Sequence, residues 1–183
     1  MSKKVLWITR TAIMIALLIA AQSFSAAMGQ LVTGSLVNLI LIVSVMAFGW
    51  GTGFTVAILS PAFAKFLGIG PQLWPFIPFI ALGNAVLICV WRAVGELIPK
   101  IGAKRFINYI AAAIVGAIAK FIVLYLTVVK IVIPFLVTLP EQQAAAMSNM
   151  FTLPQLITAL IGGGIAAVAL PLILPTVLKD KKD

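Results

Sequence analysis

Residues Phe106 to Ile131 read FINYIAAAIVGAIAKFIVLYLTVVKI, and only Lys120 and Lys130 carry charge in that stretch. About 20 mainly apolar residues are what an α-helix needs to cross the hydrocarbon core of a bilayer, so the stretch reads as a membrane span. The rest of the chain repeats the pattern. Of 183 residues 63% are hydrophobic and 9% charged, with a mean hydropathy of +1.20. A water-soluble domain of this size would carry roughly a quarter charged residues, and without them it could not cover its own surface. Soluble, disordered, collagenous and disulfide-rich classes are excluded together.

Outward from that stretch, charges, glycines and prolines divide the chain into six spans, at about 5–28, 31–48, 54–67, 74–98, 106–131 and 153–178. The expected architecture is an all-α integral membrane protein, a bundle of six transmembrane helices forming one membrane domain over residues 1–183. Gly49-Trp50-Gly51-Thr52-Gly53 reads as a tight turn between the second and third spans. The stretch from Pro134 to Phe151 reads as the one sizeable polar loop. Thr152-Leu153-Pro154-Gln155 has the pattern of a capping box, with a Thr cap, an early proline and a Gln three residues on. The first apolar run is too long for a cleaved signal peptide, whose core covers roughly 7 to 15 residues, so it is kept as a helix.

Orientation follows from Lys and Arg in short loops. Six spans put both termini on one side, and Lys3, Lys4 and Arg10, the basic connection from Arg92 to Arg105, and Lys179, Lys181 and Lys182 all fall there. That side is the cytoplasm on this rule. Lys65, Lys120 and Lys130 are the exceptions; most of the bases behind the formal charge of +9 read as orientation signals, and no solvated basic face with aromatics beside it points to nucleic acid.

Several chemistries fall with the missing residue types. Without histidine there is no imidazole base, His metal ligand or Ser-His-Asp triad. The lone Cys89 has no partner for a disulfide, zinc or redox motif. No carboxylate lies deep in any span, whereas proton- or sodium-coupled carriers usually need one. The glycine-rich turn at Gly49 lacks a following Lys-Ser/Thr and is no phosphate cradle.

Polar residues inside the spans are the candidates for function. An ammonium well inside a membrane helix costs about 2.5 to 3.5 kcal/mol on the insertion scale, so Lys120 needs a reason. Ala112, Gly116 and Lys120 fall at steps of four, which puts the lysine on a face of small residues that admits another helix. Either it contacts an anionic or strongly polar ligand, or it snorkels or bonds structurally to carbonyls. The Asn84 amide, mid-span, either reads a ligand or ties two helices together. Trp74 and Tyr125 fit an interfacial belt, and Trp74 beside Gln72 could instead cover a heterocycle at a mouth. Ala12, Ala16 and Ala20 form a small stripe that serves either packing within the bundle or docking on a separate membrane subunit.

Taken together, the six spans in under 200 residues, the basic start running into Arg10-Thr11-Ala12-Ile13-Met14-Ile15-Ala16, the alanine stripe, and the hairpin Ala47-Phe48-Gly49-Trp50-Gly51-Thr52-Gly53-Phe54 resemble the substrate-binding S component of energy-coupling factor (ECF) vitamin transporters. The resemblance covers nearly the whole chain. It implies a subunit of the plasma membrane of a prokaryote that captures a vitamin or related micronutrient from outside. It would then dock on a membrane scaffold subunit carrying two ATPases, which use the ATP; the chain itself would be no enzyme and hold no cofactor. Carried over, Ala12, Ala16 and Ala20 would face the scaffold. Ligand sites in that family lie toward the outer side, which nominates Gln30, Trp74, Asn84, Lys120, Tyr125, Asn149 and Gln155. The vitamin stays open. Two other classes compete: a stand-alone exporter or channel for an organic anion, with Lys120 on the path, and an intramembrane enzyme, for which the sequence offers little.

Overall fold

The computed structural model describes residues 2–96 and 103–179. Residues 97–102 of the expected basic connection between the fourth and fifth spans, and the tail from Asp180, lie outside them. Among the described residues all regular structure is helical: α1 (Lys3–Ser25), α2 (Gln30–Phe48), α3 (Trp50–Phe66), α4 (Ile77–Glu96), α5 (Ala103–Leu124), α6 (Glu141–Met150) and α7 (Leu153–Lys179). Short 3₁₀ turns at Ala26–Met28 and Trp74–Phe76 lead into α2 and α4, and α5 continues as a π-helix over Tyr125–Leu136.

Five helical stretches among the described residues are long and apolar enough to cross a membrane: Lys3–Met28, Gln30–Phe48, Trp74–Glu96, Phe106–Leu136 and Glu141–Pro175. They fit a multi-pass membrane protein. The sixth expected span is α3, whose 17 residues reach about 25 Å at 1.5 Å per residue, a little short of the roughly 30 Å hydrocarbon core. Large apolar side chains face outward, among them Phe24, Phe66, Phe135 and Leu172, each about three-quarters exposed. Such a surface is stable against lipid and costly against water.

Packing closes a ring in which α1 neighbours α2 and α3, α3 neighbours α4, α4 neighbours α5, α5 neighbours α7, and α7 returns to α2. The tightest seam joins α2 and α7 at Gly162. A Cβ there would lie 2.5 Å from the Ser35 carbonyl oxygen and 2.8 Å from Asn38 Cβ, so only glycine lets the two backbones meet at this point. Hydroxyls add short ties: Thr11 Oγ1 to Thr52 Oγ1 (3.0 Å) between α1 and α3, and Ser25 Oγ to Thr33 Oγ1 (3.0 Å) across the α1–α2 turn.

Four sequence expectations change in detail. The α2–α3 turn is Gly49 alone, at φ +92°, and α3 starts at Trp50 rather than at 54. The Val45 carbonyl keeps its helical bond from the Gly49 N–H (3.1 Å) and accepts a second from Arg92 Nη1 (2.7 Å), which ties the end of α2 to α4. Next, the fifth helix does not stop near 131 but runs to Leu136 through Pro134. A proline ring clashes with the carbonyl four residues back in an α-helix, and the wider π turn relieves that crowding. The polar stretch after it is no plain loop, since Glu141–Met150 is helical. Finally, the capping box at Thr152 does not form. The end of α6 lies directly before it and offers free carbonyls: Thr152 Oγ1 donates to Asn149 O (2.8 Å) and Gln155 Nε2 to Met150 O (3.2 Å).

Candidate functional site

A cavity of about 310 Å³ sits within the helix ring, at the end of the bundle away from the N-terminus. Its mouth is formed where helices begin or end: Gly29 and Gln30 between α1 and α2, Gly68 to Pro71 after α3, Ile77 at the start of α4, and Met150 and Phe151 before α7. Gln30 Nε2 donates to Met150 O (2.8 Å), tying the α1–α2 turn to the end of α6. Phe151, buried, stacks on Phe76 at 5.8 Å between ring centroids.

At the closed end lies Lys120, 3% exposed, about 20 Å along its helix from Phe106 at 1.5 Å per residue. Its Nζ donates to Asn38 Oδ1 (2.7 Å) on α2 and to Asn84 Oδ1 (2.8 Å) on α4. Each asparagine is held so that its carbonyl faces the ammonium. Asn84 Nδ2 donates to Ser60 Oγ (2.9 Å) and toward Ala57 O (3.5 Å), while Asn38 Nδ2 donates to Thr158 Oγ1 (3.4 Å). Those hydroxyls spend their own protons on backbone carbonyls, Ser60 on Ala57 O (3.2 Å) and Thr158 on Gln155 O (3.1 Å). They can therefore only accept from the amides, and the amide oxygens are left for Lys120.

The Ala57 carbonyl is available because Pro61 stands four residues on and has no N–H to occupy it. In a bilayer such a freed carbonyl must be satisfied within the protein, and Ser60 with Asn84 does so. A single proline in α3 thus helps to orient an amide on α4. Beyond Lys120, away from the mouth, Ile42, Leu87, Trp91 and Ala113 are buried and pack together, so the cavity is blind at that end. Gln22 also lines it, 4% exposed, and its Oε1 is buried without a hydrogen-bond partner. Among the described residues no acidic side chain lines the cavity, and no group of three His, Cys, Asp or Glu side chains could hold a metal ion.

Of the seven nominated residues, Gln30, Asn84, Lys120 and Gln155 line this cavity. Trp74, Tyr125 and Asn149 do not. Trp74 is 58% exposed, with its ring against Phe66 and under the Lys65 ammonium, whose Nζ also donates to the Gln72 carbonyl. Tyr125 lies five residues past Lys120, which turns it well round the helix, and it stacks on Phe121 with Lys130 above the ring. Asn149 is exposed on α6. Sequence reasoning missed Gln22, Asn38 and Ser60. Asn38 carried the same signal as Asn84, an amide in the middle of an apolar span. Ala12, Ala16 and Ala20 are exposed on α1, on its outward face rather than in the bundle core.

Compared with protein-family models, with curated proteins and with solved structures, the chain gives no match in any of the three.

Proposed function

We propose that this chain is the substrate-capture S component of an ECF-type importer. It takes a vitamin or related micronutrient from outside and delivers it after docking on a membrane scaffold with two ATPases. The observation that carries this reading is the blind cavity, open at one end of the bundle and holding a buried, oriented Lys120 at the other. A binding site with one mouth suits capture. Release to the opposite side then requires the whole subunit to move, and such movement needs a partner that spends energy. The absence of a carboxylate deep in the spans and of a phosphate cradle agrees with energy supplied from outside the chain.

In this reading α3 is a sixth, short span, both termini are cytoplasmic, and the protein resides in the plasma membrane of a prokaryote. A stand-alone exporter or channel fits less well, because the packing of Ile42, Leu87 and Trp91 beyond Lys120 leaves no path through. The test is coexpression with an ECF scaffold and its ATPases, followed by copurification and ATP-dependent vitamin uptake in liposomes. Copurification with uptake is expected. A purified chain that binds no vitamin and never associates with an ATPase-linked scaffold would sink the proposal.

A further inference from the structure

We infer that the cavity takes a compact monocarboxylate, with its carboxylate seated on Lys120 at the closed end. The capture reading supplies the physiological meaning of such a ligand, and the chemistry is argued from the cavity itself. An ammonium has three donors and no acceptor. Two of them are taken by Asn38 and Asn84, and among the described residues the third has no partner. Amide carbonyls contribute dipoles but no counter-charge, and burying an ion without one costs several kcal/mol.

Of the chain's four acidic residues two are described, and both are engaged elsewhere: Glu96 pairs with Arg92 (2.7 Å) and Glu141 is exposed at the start of α6. A lysine acting only as a tie between α2 and α4 would meet solid packing at its head. Here the head lines a cavity. An anion entering from the mouth would supply both the third acceptor and the missing charge.

Charge and volume narrow the class. A phosphate ester brings about −1.5 to −2 against a single cation, since among the described residues no second basic side chain lines the cavity. A carboxylate matches it one to one. The volume of about 310 Å³ lies at the small end of the range for ligand pockets, which suits a small acid. Toward the mouth much of the wall is apolar, with Val37, Pro61, Ile69, Ile77, Ile80 and Phe151.

The experiment measures binding to the full chain in detergent with matched pairs: nicotinate and nicotinamide, pantothenate and panthenol, biotin and its primary amide. Thiamine and pyridoxal 5′-phosphate stand for the cationic and phosphorylated classes. One acid should bind at least about 100-fold tighter than its uncharged counterpart, the scale expected when one partner of a buried charge pair is lost. Lys120→Met should abolish that preference. Because Lys120→Met leaves two amide oxygens unpaired and could unsettle the fold, Asn84→Asp is the second variant. It places a counter-ion beside Lys120 within the protein, and Ser60 can turn its hydroxyl from Ala57 O to the new carboxylate oxygen, so acid binding should fall about 100-fold while the ligand-free chain keeps a cooperative melting transition.

Tightest binding by an uncharged, cationic or phosphorylated member would overturn the monocarboxylate and leave capture standing. Acid binding that both variants retain would remove Lys120 from the site. Failure of every acid in the panel would overturn the inference as well, and association with an ATPase-linked scaffold would then decide separately whether the capture reading survives.

Discussion

Gln22 and Lys120 both line the cavity, and among the described residues the Gln22 Oε1 has no donor and the third Lys120 N–H no acceptor. A buried polar atom left unsatisfied costs about 1 to 3 kcal/mol, and the Gln22 oxygen is sealed from solvent, so its cost falls on the empty and the occupied protein alike. Gln22→Leu should therefore stabilise the chain by about 1 kcal/mol with or without ligand. Thermal unfolding in both states checks this; a gain confined to the ligand-free chain would mean that Gln22 meets the ligand. At this scale the sequence was partly legible. Lys120 and Asn84 stood out because a charge or an amide inside an apolar span demands a partner. Asn38 sent the same signal, but no rule of spacing pairs a residue on α2 with one 82 positions later. The role of Pro61 was hidden for a different reason, since it acts through a carbonyl that only the fold brings to Asn84.

Between elements, stability and the site meet at the α2–α7 seam. Gly162→Ala would drive a methyl into the Ser35 carbonyl and Asn38 Cβ, which can yield only if the helices part. Overpacking of this kind costs about 1 to 3 kcal/mol, and it would also displace Asn38 from Lys120. Gly164, with nothing within 4 Å of its position, is the control: Gly164→Ala should be neutral or stabilise by up to about 1 kcal/mol through helix propensity. Unfolding of the two variants in detergent should show this contrast, and equal behaviour would mean that the seam is not close-packed. A second prediction concerns the exposed stripe on α1. Ala16→Trp adds bulk where nothing in the bundle packs, so ligand binding should persist while scaffold-dependent uptake is lost. Loss of both together would place Ala16 in internal packing instead. The apolar helices were readable, because runs of apolar residues in a bilayer have few alternatives, whereas the polar α6 was read as loop. Helix ends were less readable. Trp50, Leu136 and Glu141–Met150 were misplaced because bonds from distant residues and a π-helical stretch extended what local signals would have stopped.

For the whole molecule the open quantity is parity, and α3 controls it. At 17 residues α3 falls just inside the roughly 17 to 25 that a crossing requires, and its membrane role rests on packing against α1, α2 and α4. Ser2 and Gln143, both exposed, are separated by α1 to α5. If α3 crosses, five crossings put them on opposite faces; if it does not, four return them to the same face. In a Cys89→Ser background, single cysteines at these two positions should therefore differ in intact cells. The Gln143→Cys chain should react with an impermeant maleimide from outside, and the Ser2→Cys chain only after the membrane is opened. That result would put the mouth of the cavity, which lies at the end bearing α6, on the outer face, where a capture subunit needs it. Labelling of both positions from the same side would remove α3 from the set of spans. Labelling of Ser2→Cys alone from outside would invert the molecule, turn the mouth toward the cytoplasm, and leave an importer with its only entrance on the wrong side.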